Sequence, residues 1–469
     1  MLCRYDSAGR DGFRSRHNGL LRDTSPDWAP SVTHSHSWPI VGQAAETLVH
    51  ARAPLHAEPR VSAPRPAAVA EQRAAITLSV HGDLAAIEHD WRKLEETADC
   101  TPFQTFGWHS AWQRHIGQLA GVRPAIVIGR RGNDILFLIP LAVEPRAIAR
   151  RLTFLGQALC DYNAPLLAPE FSRLIGTEGF AAIWSNIRAL LQATPGLRHD
   201  TISLAKMPER VGAQANPMLA LDVQLHPSGA YEAALGPDWE QFYAAKRSSS
   251  TRRRDRTKLK RLGELGEVRF VNPETSDEIA RTLDMLVHQK AKAFGRMGVA
   301  NMFALPGYAA FFHAVATTPE TRGLVHLSRL DTGSTWAAIN LGLTFRDCYY
   351  HVLASYDDGE TSRFGPGAAH LRELIKRAIE RGLKRFDFTI GDEPYKRDWC
   401  ETEQKLYDHS SAATLRGLPG TALAHAWRST KRLIKQTAPL WNVAVRVRTA
   451  IASMRKRPDA GPARTAAED

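Results

Sequence analysis

The chain has 469 residues, 43% of them hydrophobic, and a formal net charge of +12. This composition is that of a globular protein with room for two or three cored domains; it excludes a wholly disordered chain, and no apolar run is long enough to span a bilayer. The five cysteines (Cys3, Cys100, Cys160, Cys348, Cys400) are scattered, odd in number and without a CxxC pair. They argue against a disulfide framework or a metal site and suit a reducing cytoplasm.

Residues 1–74 are rich in Arg, Pro, Ser, His and Ala without sustained periodicity, which predicts a disordered segment or a start codon assigned too far upstream. The opening MLCRYDSAGRDGFRSR has no apolar core, so it does not read as a secretory signal. Order is expected from Ala75. A strand at 76–80 leads to Gly82-Asp83 and a helix with Leu84, Ile87, Trp91 and Leu94 on one face. A second helix carries Trp108, Ala111, Trp112, His115 and Leu119. Strands follow at 124–129, 135–143 and 152–155, then a helix at 179–192 and a strand at 201–204.

That order recurs. A strand at 218–223 and a helical basic segment precede a strand at 268–271. Helices at 276–294 and 307–317 come next, then strands at 324–330, 335–344 and 348–356. A helix at 367–381 leads into a strand at 385–389. Two halves with one order of elements predict a duplicated α/β fold with a cleft in or beside the second half.

Charge is concentrated in two places. Residues 246–261, KRSSSTRRRDRTKLKR, are basic on every helical face, and residues 409–458 contain no Asp or Glu. Both suit anionic partners, although a basic helix of this kind is commonly just solvated. The first has no interleaved aromatics, so specific nucleic-acid reading is not supported. The tail from 417 reads as one or two amphipathic helices, with Leu423, Trp427, Ile434 and Trp441 on one face. It lies either on an anionic membrane or against the protein itself.

The densest chemistry is in FDFTIGDEPYKRDW, residues 386–399. Phe386 and Phe388 alternate with Asp387 and Thr389, the strand breaks at Gly391, and Asp392, Glu393, Tyr395 and Lys396 follow. Titratable groups are thus gathered at a strand end, where α/β folds hold ligands.

These residues carry a resemblance. TPFQTFGWHSAW (101–112), DYNAPLL (161–167), RLGELGEVRF (261–270), SYDDGETSRFGPGAAHL (355–371) and FDFTIGDEPYKRDW occur in an order and spacing similar to those of the Gcn5-related N-acetyltransferase (GNAT) superfamily. More narrowly they resemble its BioF2-like or CelD (BcsL)-like acetyltransferases, and more distantly the Fem-type transferases. The resemblance spans about residues 76–415. It implies an α/β fold of two tandem GNAT-like halves, each a mixed sheet flanked by helices, between a disordered N-terminus and a basic helical C-terminal tail. The expected boundaries are 1–74, 75–225, 226–416 and 417–469.

The activity implied is acyl transfer from acyl-CoA, without a metal, to an amine, such as that of an amino sugar or another envelope or exopolysaccharide precursor. Alternatives are a Fem-like transferase using aminoacyl-tRNA and a non-catalytic scaffold of a polysaccharide-synthesis complex. The helix after the basic run is too short for the coiled-coil arm of many Fem proteins. Amide formation needs a base, a polarised carbonyl and a proton for the leaving thiolate. Asp387 and Glu393 are the candidate bases, Tyr395 the candidate acid and Lys396 a charge stabiliser. Arg363, Gly365, Gly367 and Ala368 are the candidate cofactor-binding residues, at a helix N-terminus able to receive phosphate. Ser362 stands where the superfamily pattern has Arg or Gln, and Pro366 removes one N–H. Tyr356, Asp357, Asp392 and Trp399 are the candidate substrate contacts, whereas His351 reads as a satisfied core histidine. The expected location is the cytoplasm, with peripheral contact between residues 417–458 and the inner face of an anionic membrane.

Overall fold

The computed structural model describes residues 76–423, with 426 and 430 besides. The segment expected to be disordered, 1–74, and nearly all of the basic tail beyond 423 lie outside the described residues.

The first half begins with β1 (Thr77–His81), α1 (Glu88–Thr97) and α2 (Phe106–Trp112), which passes into a wider π turn over Gln113–Gly117. Strands β2 (Arg123–Arg131), β3 (Asp134–Pro145), β4 (Arg150–Phe154) and β5 (Leu166–Leu167) follow. Helices α3 (Phe171–Leu174) and α4 (Gly176–Ala193) lead to β6 (Thr201–Pro208). A small hairpin, β7 (Arg210–Val211) and β8 (Gln214–Ala215), precedes β9 (Val223–Leu225). The strand expected over 218–223 is instead a 3-10 turn, Pro217–Ala220, ahead of β9. Pro217 presets that turn, and the Asn216 side chain accepts the Met218 N–H at its start.

The second half opens with β10 (Ala230–Ala234), α5 (Trp239–Lys246) and the basic helix α6 (Ser249–Gly263). Next are β11 (Val268–Val271), α7 (Ser276–Met297), α8 (Tyr308–Thr317) and α9 (Pro319–Arg322). Strands β12 (Val325–Thr332), β13 (Thr335–Phe345) and β14 (Cys348–Tyr356) lead to α10 (Pro366–Glu380) and β15 (Arg385–Ile390). The short α11 (Pro394–Arg397), β16 (Thr402–Gln404) and β17 (Leu406–Ala412) close it.

Two mixed sheets result, each flanked by helices. Sheet one runs β1-β2-β3-β4-β6-β17-β9, with β5 paired to β3; sheet two runs β11-β12-β13-β14-β15-β10-β16. The halves match strand for strand: each has one parallel pair, β4 with β6 and β14 with β15, in the same place. One strand crosses over: the strand beside β6 is β17, from the end of the second half, while its counterpart beside β15 is β10, which opens that same half.

Period decides which faces are buried. In α10 the buried residues Leu371, Leu374, Ile375, Ala378 and Ile379 recur at helical spacing and cover one face of sheet two over Tyr349, Phe386 and Phe388. Helix α4 covers sheet one in the same way, with Phe180, Trp184, Ile187 and Leu191 on Phe137 and Phe154. The opposite faces share a third core, in which Trp91, Phe103 and Trp108 of the first half join Leu283, Phe311 and Tyr350 of the second. Among the described residues no helix is long and apolar enough to cross a membrane.

Candidate active site

Strands β14 and β15 separate part-way along. Their parallel pairing covers Cys348 with Arg385, Tyr349 with Phe386 and Tyr350 with Asp387, and then stops, although β14 continues to Tyr356. On its other edge β14 carries an extra residue: Leu343 lies opposite Tyr350 but Leu341 opposite Leu353. A bulge and a splay therefore coincide at His351 and Val352. Beyond Tyr350 the β14 backbone has no ladder partner on β15, and the Thr389 side chain reaches across to the His351 carbonyl instead, a geometry suited to an extended ligand further along the edge.

Asp387 sits at the apex. Its alternation with Phe386 and Phe388 turns it away from α10 and towards the first half, where the Tyr162 hydroxyl donates to it at 2.7 Å from Oδ1 and 2.9 Å from Oδ2. The Thr389 N–H donates to Oδ1 at 2.6 Å. With 3% exposure, burial pushes the carboxyl up to about 7. The Glu232 charge adds to the rise, while the Tyr162 hydrogen bond, the Thr389 N–H and the Lys396 charge oppose it. Tyr162 is itself held neutral, raised by burial and by the adjoining carboxylate.

The next turn of chain is strained and fastened. Thr389 has a left-handed φ of +57°, costly for a β-branched residue. Its Oγ1 donates to the His351 carbonyl at 3.3 Å, and its own carbonyl accepts from Lys396 Nζ at 3.1 Å. The first half has the same feature: Lys206, at φ +59°, occupies the equivalent irregularity where β6 pairs with β17. Duplication is thus visible in backbone conformation where residue identity has gone.

Lys396 points inward from α11 and is buried. Nζ reaches the Ile390 carbonyl at 3.0 Å as well as that of Thr389, and pairs with Glu393 Oε2 at 3.1 Å. The two carbonyls take hydrogen bonds from the ammonium, and the Glu393 carboxylate balances its charge. Gly391, at φ +138°, makes this possible: a Cβ there would lie 2.3 Å from Glu393 Oε2 and 3.0 Å from Lys396 Nζ. His351 is packed against Phe386 and Phe388 and lowered to about 3, first by burial and then by Lys396 and Lys290. It is neutral at physiological pH, in keeping with its reading as a core residue.

The sequence candidates fall into three groups. Asp387, Glu393 and Lys396 gather at the wedge. Arg363, Gly365, Gly367 and Ala368 lie at the start of α10, where Gly365 at φ +65° turns the chain into the helix and Pro366 takes its first position. Gly367 and Ala368 are in the first turn, whose N–H groups have no helical acceptors. Arg363 pairs with Glu360 at 2.8 Å and lies over Phe364.

The third group is engaged elsewhere. Tyr395 packs by its edge on Phe388, and Asp392 accepts the Gly229 N–H at 3.4 Å. Asp357 caps the turn after β14, accepting from Gly359 N and Thr361 Oγ1, each at 3.0 Å. Tyr356 packs with Phe364 against a small cluster of Leu262, Leu330, Ala338 and Ala369. Trp399 stacks on Phe242 and Tyr243 in the core beneath α10, on the face away from Asp387.

Tyr162 is the residue that sequence reasoning passed over. It lay within DYNAPLL, but nothing local to that motif signals a partner 225 residues away.

Residues 249–397, from α6 through α11, match a family model described as an acetyltransferase (GNAT) domain. The wedge, the α10 turn and Lys396 all fall inside this match, whereas β10 and β16 of the same sheet lie outside it. No curated protein matches the chain. Among solved structures, one described as FemX is similar at 10% identity, over 71% of this chain and 96% of that one, with a TM-score of 0.49. The C-terminal domain of a putative lysylphosphatidylglycerol synthetase from Agrobacterium fabrum is similar at 9% identity, over 74% and 96%, with a TM-score of 0.45. A tandem GNAT protein from the clavulanic acid biosynthesis pathway is similar at 12% identity, over 72% and 99%, with a TM-score of 0.40. At these identities and scores the likenesses carry nothing about chemistry.

Proposed function

We propose that the chain is an acyl-CoA-dependent N-acyltransferase of the BioF2-like or CelD-like kind, moving an acyl group to the amine of an amino sugar or another envelope or exopolysaccharide precursor. The observation that carries this reading is the wedge between β14 and β15, bulged on one side and floored by Asp387, within the residues that match the acetyltransferase model.

In this reading the donor's extended arm pairs with the free edge of β14, and its phosphates meet the first turn of α10 beside Gly365, Gly367 and Ala368. Arg363 exchanges Glu360 for a phosphate oxygen. The amine nitrogen attacks the thioester carbon, Asp387 takes the amine proton, and the carbon–sulfur bond breaks. A carboxyl near 7 suits that step, being ionised in a large fraction of molecules at neutral pH yet basic enough to accept a proton. Lys396 opposes the charge developing on the carbonyl oxygen, and the departing thiolate takes back the proton that Asp387 accepted; Tyr395, edge-on to Phe388, backs the strand end without touching the sulfur. Glu393 orients Lys396 and is the second candidate base. Asp392, at the strand end, is the acceptor contact that remains; Tyr356, Asp357 and Trp399 support the fold around the site from a turn and two cores. The enzyme works in the cytoplasm, with residues 417–458 against the inner face of the membrane.

The Fem-like alternative draws on α6, whose Arg253, Arg254, Lys258 and Arg261 are exposed and suited to the backbone of an aminoacyl-tRNA. Thermal melting of the full chain with acetyl-CoA, longer acyl-CoA thioesters, free CoA and aminoacyl-tRNA separates the readings, because a ligand of the native state raises the melting temperature. Stabilisation by an acyl-CoA is expected. Stabilisation by aminoacyl-tRNA alone would support the Fem-like alternative, and no shift with any donor would leave a scaffold.

A further inference from the structure

Helix α6 is a third layer laid over α10, and it is fastened at two points. Midway along it Asp255 accepts the Tyr243 hydroxyl at 2.7 Å and pairs with Arg372 at 3.5 Å. At its end Leu262 is buried with Leu330, Ala338 and Ala369. Between these points α5, α6, β11 and α10 enclose an open cleft of about 740 Å³. That is the size of an ordinary small-molecule site.

The cleft has two chemistries. Trp239, Leu259, Val268, Phe270, Leu330 and Ala369 form an apolar floor and lip, and Leu259 is 43% exposed there without a covering partner. The rest of the lining is charged, and most of it is internally balanced. Arg372 pairs with Asp255, Arg377 pairs with Glu373 at 3.1 Å while lying over Phe270, and Lys376 faces Glu380 at 3.8 Å. Arg256 and Lys260 are different: one helical turn apart on α6, they flank the cleft and have no ion pair or hydrogen bond from their side chains to any described residue. Glu240, on the α5 side, is the remaining carboxylate of the lining.

We propose that this cleft binds a single-chain anionic amphiphile. Its hydrocarbon tail covers Leu259, Val268 and Phe270, and its carboxylate, phosphate or sulfate head lies between Arg256 and Lys260. Charge complementarity selects the head and the apolar floor selects the tail; a bare anion would leave the floor wet, and a neutral lipid would leave the two cations uncompensated. Arg363, Gly365, Asp387 and Lys396 do not line the cleft, so the assignment is independent of the acyl-transfer reading.

Isothermal titration of the full chain tests it, with dodecyl phosphate below its micellar concentration as the probe. Dodecyl maltoside, dodecyltrimethylammonium and inorganic phosphate are the comparisons. One saturable site per chain is expected for dodecyl phosphate, at least tenfold weaker in Arg256→Glu/Lys260→Glu and in Leu259→Asp. The control Arg253→Glu/Arg254→Glu makes the same charge change at exposed positions outside the cleft and should bind as the parent does. Equal binding of the neutral or cationic surfactant overturns the proposal, as does equal affinity for inorganic phosphate. So does unchanged affinity in the cleft variants, or an equal loss in the control.

Discussion

Tyr162 and Asp387 lie 225 residues apart in sequence and 2.7 Å apart in the fold, joined by a buried hydrogen bond. The bond ties the loop after β4 to the apex of the wedge in sheet two. A residue of the first half thereby helps set the protonation of a carboxyl in the second.

Asp387→Asn should change how stability depends on pH. The folded carboxyl sits near 7, above its usual value of 3.8. A raised acid favours the fold while protonated, so its contribution is complete below about 4 and is lost as pH rises through 7. The loss is on the order of 4 kcal/mol by pH 8, from about three units of pKa. Urea unfolding at pH 5 and pH 8 should give a flatter profile in the variant than in the parent. Identical slopes would show that Asp387 does not titrate there.

Tyr162→Phe keeps the ring and removes the donor. Because that hydrogen bond lowers the carboxyl's pKa, its loss should move the titration of Asp387 upward and cost about 1–3 kcal/mol, more at pH 8 than at pH 5. If Asp387 is the base, the acid limb of the pH–rate profile moves the same way. A double-mutant cycle with Asp387→Asn measures the coupling, and a coupling near zero would contradict the geometry.

Gly391→Ala and Gly382→Ala form a matched pair. Both positions have positive φ, but a Cβ at Gly382 meets nothing within 4 Å, whereas one at Gly391 collides with Glu393 and Lys396. About 1 kcal/mol of backbone strain is expected at Gly382 and at least twice that at Gly391. The Gly391 variant should also lose donor-dependent turnover. Equal costs in chemical denaturation would mean that the Lys396 fastening gives way easily.

Lys396→Met leaves Glu393 charged and buried and the carbonyls of Thr389 and Ile390 without their donor. A loss of about 3–5 kcal/mol is expected. Lys396→Met/Glu393→Gln should recover part of that stability without recovering turnover. A double variant no more stable than the single one would rule out the ion pair as the source of the loss.

Local pattern made most of the fold legible. Strands 268–271 and 348–356 are where alternation places them, and α10 begins within one residue of the expected start. The strands beside β15 and β6 were not anticipated: AYEAA (β10) is only five residues long and LYDHSSA (β17) is more than half polar. Their places depend on partners far away in the chain, which no window of sequence contains. At the site, the crowding around Asp387 and Lys396 was legible because titratable groups clustered in one segment. Tyr356, Asp357 and Trp399 drew attention for the same reason, yet hydrogen bonding and stacking use them in a turn and a core.

The crossing of β17 into the first sheet also constrains how the protein can be made. After Pro208 leaves the ribosome, the edge of β6 that will pair with β17 waits for Leu406, roughly 200 residues later. At bacterial-type synthesis rates that is about 10–40 s with a row of backbone donors and acceptors open to any strand nearby. Completion of the first sheet is therefore among the last events of folding, and premature termination anywhere in the second half should yield a sticky fragment in place of a smaller working domain.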